Sequence, residues 1–233
     1  MDTLKLTFRD RAQVILNRDE YFFAVASLSL ILSIWKGSPG YLIGISAVMI
    51  MLWANRWNWI IIGLRKAKLI SSIVKAFIYS IGIFILIDII TQPIIEGVFG
   101  QVDISSLNGL RGNFISYVFF IVFMWIVAAF GEEFFYRGFI MKRLSQILGD
   151  TTKTWRIGAL ISAVFFGLAH MYQGPSGMIT TGMIGFILGL IFMKERTLIV
   201  PILVHGIYDM IGITLIYLGK DRIFIDWITN LVA

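Results

Sequence analysis

Apolar residues in this chain gather into long runs, separated by short breaks rich in Lys, Arg, Gly and Pro. The runs show no sustained alternation of apolar and polar residues, the pattern of a half-buried strand. Long apolar runs instead predict helices able to cross a hydrocarbon core about 30 Å thick. Seven spans are expected, at roughly 21–35, 41–54, 69–91, 116–140, 155–172, 176–193 and 198–218, the first two being short. Residues 56–64 (RWNWIIIGL) place two tryptophans beside positive charge and read as an interfacial segment. Residues 141–148 continue the fourth helix as an amphipathic extension into the headgroups, and Ile223–Val232 reads as a second interfacial helix. The predicted fold class is all-α, a polytopic transmembrane helical bundle. Residues 1–20 form a cytoplasmic amphipathic segment, 21–218 the membrane domain and 219–233 a C-terminal tail.

Composition agrees with this pattern. Hydrophobic residues make up 58% of the 233 positions and charged residues 15%, against about a quarter charged in soluble domains. The formal charge of +6 does not point to nucleic acid, because the basic residues lie in the breaks and form no patch with interleaved aromatics. With no cysteine in the chain, disulfides, a thiol nucleophile and Cys-ligated metal are excluded. The N-terminal segment mixes acids with Lys5, Arg9, Arg11 and Arg18, and no cleavage site follows, so the first span is expected to be retained. With alternate sides assigned to the breaks, fifteen Lys and Arg fall on the N-terminal side, counting Arg137. Four (Lys36, Arg111, Lys220 and Arg222) fall on the other, and Lys75 lies within a span. This asymmetry places the N-terminus in the cytoplasm.

An ionisable residue within a bilayer costs free energy unless it is paired or hydrated. Both histidines of the chain fall in predicted spans, His170 in FFGLAH and His205 in LVHGIYD, with Asp209 one turn after His205. The fourth span contains GEEFFYRG. Glu133 and Arg137 are four apart and share a helix face; Glu132 is rotated by about 100° and finds no cation on its own helix. One carboxylate is thus neutralised locally and the other left free, as a general base requires. From Lys142 to Glu132 is about 15 Å of helix, from Arg196 to His205 about 13 Å and from Arg156 to His170 about 21 Å. These depths are similar enough to predict one site nearer the cytoplasmic face. A single intramembrane His is as readily a satisfied helix contact as a ligand or base, and HxxxD spacing alone is weak. Asp88, with no companion motif, is read as structural. Gly182, Gly185 and Gly189 are read as close helix packing, and Phe134, Phe135 and Phe166 as packing that also keeps the site dry.

GEEFFYRG resembles the EExxxR motif of the CAAX-protease and bacteriocin-processing family, also called Abi. Phe166–His170 resembles its FxxxH motif, and His205–Asp209 its HxxxN or HxxxD motif. The order is right, the resemblance covers 114–218, and the 56–64 segment is similar to one that often precedes the core. The resemblance implies an intramembrane endopeptidase related to type II CAAX prenyl endopeptidases, acting on a membrane-associated or lipidated peptide. It also implies a location in the bacterial cell membrane. Glu132 would activate water with His170; Glu133 and Arg137 would hold the site in shape, with Phe166 in support; His205 and Asp209 would stabilise the oxyanion or bind metal.

Asp209 stands where the best-studied branch of this family has Asn. An ionised carboxylate accepts hydrogen bonds and donates none, which weakens an oxyanion role and favours a divalent ion, zinc first, on Glu132, His170, His205 and Asp209. The peptide is expected to enter from the cytoplasmic side. The rival readings are a non-proteolytic binding or bacteriocin self-immunity module, and a proton or ion pathway.

Overall fold

The computed structural model describes residues 6–36 and 38–232, and every regular element among them is helical. Lys5 and the rest of 1–5, Gly37 and Ala233 lie outside the described residues, as does the side chain of Lys36. Helix α1 (Phe8–Leu16) starts at Thr7, whose side chain and that of Asp10 cap each other's backbone N–H, satisfying donors a helix start leaves free. It docks on residues 53–55 through hydrogen bonds from Arg9 to the Trp53 carbonyl and from Gln13 to Asn55. Helices α2 (Asp19–Lys36) and α3 (Ser38–Ala54) pair closely, with Ser29 Oγ donating to the Gly40 carbonyl at 2.6 Å.

The 56–64 segment is more than a surface strip. A single 3-10 turn (Trp59–Ile62) buries Ile62 completely and ends at Gly63, in the left-handed region at φ 84°. Lys142 Nζ donates to the Ile60 and Ile61 carbonyls, each at 2.7 Å, and Leu198 N–H donates to the Gly63 carbonyl at 3.0 Å. Carbonyls orphaned by a short turn are thus capped by the ammonium and by the start of another helix. The segment becomes a wedge under the bundle.

Helix α4 (Leu69–Phe99) continues past its predicted end near Thr91. Pro93 lacks an N–H and would break a regular helix. Here the turn Ile85–Thr91 is widened, with Gln92 N–H reaching the Ile87 carbonyl, so the chain passes the proline without stopping. Helix α5 (Phe114–Ile147), capped by Asn113, absorbs the predicted amphipathic extension into one continuous rod. Helix α6 (Thr152–Ala169) begins with a Thr151–Thr154 capping box and stops at His170. Helix α7 (Met171–Glu195) opens with a 3-10 turn, and α8 (Ile199–Tyr217) and α9 (Ile223–Val232) follow.

Helices α4, α5, α7 and α8 are long and apolar enough to cross a membrane. The other three predicted spans fall on α2, α3 and α6, of 18, 17 and 18 residues, which do not meet that length and composition together. Helices α6 and α7 approach through small residues, as the glycine spacing predicts. A Cβ on Gly167 would sit 2.7 Å from the Met178 carbonyl, and one on Gly189 would sit 3.0 Å from Ala159 Cβ. In lipid, such contact is a main source of helix association. The aromatic core of Phe134, Phe135, Phe139 and Phe166 fills the space around α5.

Candidate active site

The middle of α5, Trp125–Met141, is wound with i→i−5 hydrogen bonds; at its end Lys142 N–H meets the Arg137 carbonyl. Such wide turns are rare and concentrate at functional sites. This one carries Glu132, Glu133 and Arg137. As the i,i+4 spacing predicts, Arg137 Nη1 donates to Glu133 Oε1 at 2.6 Å, with both side chains essentially fully buried. Arg137 also donates from Nη2 to the Gly185 carbonyl at 2.9 Å and lies 4.6 Å over the Phe166 ring. Gly185 is therefore more than a packing position, since a Cβ there would stand 3.3 Å from Arg137 Nη2 and 2.9 Å from Phe166.

Glu133 has a second partner that sequence spacing does not reveal. His205 Nδ1, on α8, lies 2.9 Å from Glu133 Oε1. The Arg137-paired carboxylate accepts, so Nδ1 carries the proton and the ring is oriented. Its Nε2 then faces Asp209 Oδ2 at 3.4 Å and Glu132 Oε2 at 3.9 Å. A carboxylate that fixes the far nitrogen of a working imidazole is a recurrent device of catalytic and metal sites. Glu132 itself has no Lys or Arg partner among the described residues and faces a cavity, the free carboxylate expected. Glu133 Oε2 is buried without a partner among the described residues, so this carboxylate depends on one oxygen shared by Arg137 and His205.

His170 sits at the C-terminal end of α6, where the helix stops. Its Nδ1 is 2.8 Å from the Phe166 carbonyl. A carbonyl oxygen can only accept, so Nδ1 donates and Nε2 is left for the cavity. Phe166 touches both imidazoles, with ring centroids 4.7 Å from His170 and 6.1 Å from His205. The two histidines, Glu132, Asp209 and Phe166 thus line one cavity of about 550 Å³.

Among the described residues, no three His, Asp or Glu side chains are gathered so as to hold a metal ion as they are placed; the expected ligands Glu132, His170, His205 and Asp209 share this cavity, and no step is routed through an ion. Entry from the Lys- and Arg-rich side does not fit the cavity's lining. The cavity is lined by Gln101, Asp103, Arg111, Gln173, Asp221 and Arg222, in the connections at the opposite end of α5, α7 and α8 from Lys142, Lys194 and Arg196. Helix α6 ends at His170, which puts that imidazole at the far end of its helix.

Asp88, read as structural, also faces the cavity, on the widened turn of α4. Tyr208 Oη donates to Asp88 Oδ2 at 2.8 Å, beside Asp209. Among the described residues, the chain's two widened helical turns carry Asp88 and Glu132, both lining this one space.

These features define an α-helical membrane protein with an acid–imidazole cluster at the inner end of a cavity lined by polar and apolar side chains. Residues 114–211 match the family model of the type II CAAX prenyl endopeptidase Rce1-like proteins, a protease family, and so bear out the resemblance carried by the three motifs. The matched stretch contains Glu132, Glu133, Arg137, Phe166, His170, His205 and Asp209 and supports a membrane protease acting on a peptide. No curated protein and no solved structure matches the chain.

Proposed function

We propose that the chain is an intramembrane endopeptidase that cleaves a membrane-associated or lipidated peptide of the CAAX-tail type. The observation that carries this reading is His205, held at Nδ1 by the buried Glu133–Arg137 pair and facing Glu132 and Asp209 with Nε2. Glu132 takes a proton from water as that water attacks the scissile carbonyl, and later returns it to the leaving amine. His170, its Nδ1 occupied by a backbone carbonyl, presents Nε2 to the same water. His205, protonated at both ring nitrogens between Glu133 and Asp209, donates from Nε2 to the developing oxyanion, a preorganised hydrogen bond aimed where charge develops.

The acceptor-only character of Asp209 fits this scheme. It has no need to donate, because it faces the imidazole that does. Its role is to orient and charge-balance His205.

The test is cleavage of an internally quenched farnesylated CAAX peptide by the purified protein in liposomes, with and without a strong chelator. The expected result is cleavage that survives chelation, is lost in His205→Ala and is largely kept in Asp209→Asn. Cleavage abolished by the chelator and restored by zinc would reject the metal-free scheme. Unchanged cleavage in His205→Ala would reject the site.

A further inference from the structure

Hydrolysis inside a lipid slab needs water, and the arrangement of α4 offers a path for it. Its residues Asp88, Gln92 and Glu96, each four apart, all line the cavity. Leu86, Ile90 and Ile94, also four apart, are 46%, 51% and 66% exposed on its outer side and form an apolar face suited to lipid. Such a division is what a helix needs when one face meets lipid and the other water, because polar side chains at depth are tolerated only where they are paired or hydrated.

The inner end of the stripe is the Asp88–Tyr208 hydrogen bond, next to Asp209. Its outer end is Glu96, which accepts from Gln92 Nε2 at 2.9 Å and from Arg222 Nη1 at 3.1 Å. Across the cavity, Arg111 Nη1 meets Asp221 at 2.5 Å, and that hydrogen bond holds the partly buried Asp221 carboxyl below the usual carboxylate range. Phe224 of α9 packs on Phe84 with ring centroids 5.6 Å apart, so the C-terminal helix roofs the mouth.

We propose that this cavity is a water-filled inlet, open at the face carrying residues 100–113 and 219–222. It is walled by the Asp88–Gln92–Glu96 stripe of α4 and the Gly212 side of α8, and it supplies the candidate site. The inlet is a statement about solvent and stands whether or not the chain is a protease.

The chain has no cysteine, so each single-cysteine variant carries one thiol. Gly212 lines the cavity and Gly82 lies on the exposed side of α4; a Cβ at either meets nothing within 4 Å. Gly212→Cys and Gly82→Cys are compared in oriented vesicles with a membrane-impermeant maleimide. Ser106→Cys and Thr152→Cys mark the two faces. A thiol reacts as its thiolate, which lipid suppresses, so Gly212→Cys is expected to label at least about tenfold faster than Gly82→Cys. Its reagent must act from the Ser106 face. Thr181→Cys, on another wall of the cavity, should label like Gly212→Cys and replaces it if that variant does not fold, as judged by size-exclusion profile. Labelling as slow as at Gly82, or labelling only from the Thr152 face, overturns the proposal. Loss of peptide cleavage with rapid labelling intact would instead count against the protease reading alone.

Discussion

Replacing Arg137 with Ala removes the cation at the centre of the polar cluster, and the cost follows from what is left behind. Arg137 and Glu133 are 1% and 0% exposed, and Glu133 Oε2 has no partner among the described residues even when the arginine is present. Without the guanidinium, the Glu133 carboxylate keeps only the contact to His205 Nδ1. Removing one member of a buried pair typically costs about 3–5 kcal/mol, because a charge is stranded. The lost contact over Phe166 adds up to about 2 kcal/mol. Against a typical folding free energy of about 5–15 kcal/mol, the variant should express poorly and melt far below the parent. Arg137→Lys keeps the charge but has no planar fork to reach Glu133 and the Gly185 carbonyl together, so it should fall in between. Glu133→Gln/Arg137→Met, which removes both charges, should recover part of the loss. Thermal unfolding in detergent, followed by size-exclusion, reads all three. A melting temperature for Arg137→Ala within about 2 °C of the parent, where even 1 kcal/mol shifts a domain of this size by about 2–4 °C, would refute the reasoning.

Three further outcomes follow. Tyr208→Phe removes the donor to Asp88 and should cost about 1 kcal/mol in thermal stability, while Asp88→Asn, which keeps an acceptor oxygen, should cost less; the reverse order would sink the assigned direction of the bond. Gly167→Leu should abolish folding through its clash with the Met178 carbonyl, whereas Gly212→Leu, which meets open space, should leave the melting temperature nearly unchanged. Lys142→Met frees the Ile60 and Ile61 carbonyls and should expose the 56–64 wedge to protease before the rest unfolds, as timed limited proteolysis would show.

The helical class was legible because lipid imposes it, and runs of apolar residues leave few alternatives. The Glu133–Arg137 pair was legible because it lies within one helix at a spacing physics fixes. What was hidden lies between helices. Glu133 also orients His205, and no spacing along the chain records that contact. Asp88 was set aside because its partner, Tyr208, looks like any aromatic residue packed in a bundle. Pro93 was a signal that α4 is wound differently, but a proline in an apolar run reads equally well as a helix end. The expected entry side rested on the shallower pair, Glu132 and His205, whereas about 21 Å from Arg156 in a core of about 30 Å puts His170 nearer the far face.

The central claim is that Glu132, which has no Lys or Arg partner among the described residues, activates water. Cleavage of the liposome-anchored farnesylated peptide in water enriched in oxygen-18, read by mass spectrometry, tests it directly. The parent protein should place one heavy oxygen in the new carboxyl group. Glu132→Gln, with an unchanged melting temperature, should yield product at least about 10²-fold more slowly. Equal rates of labelled product from Glu132→Gln and the parent would contradict the account.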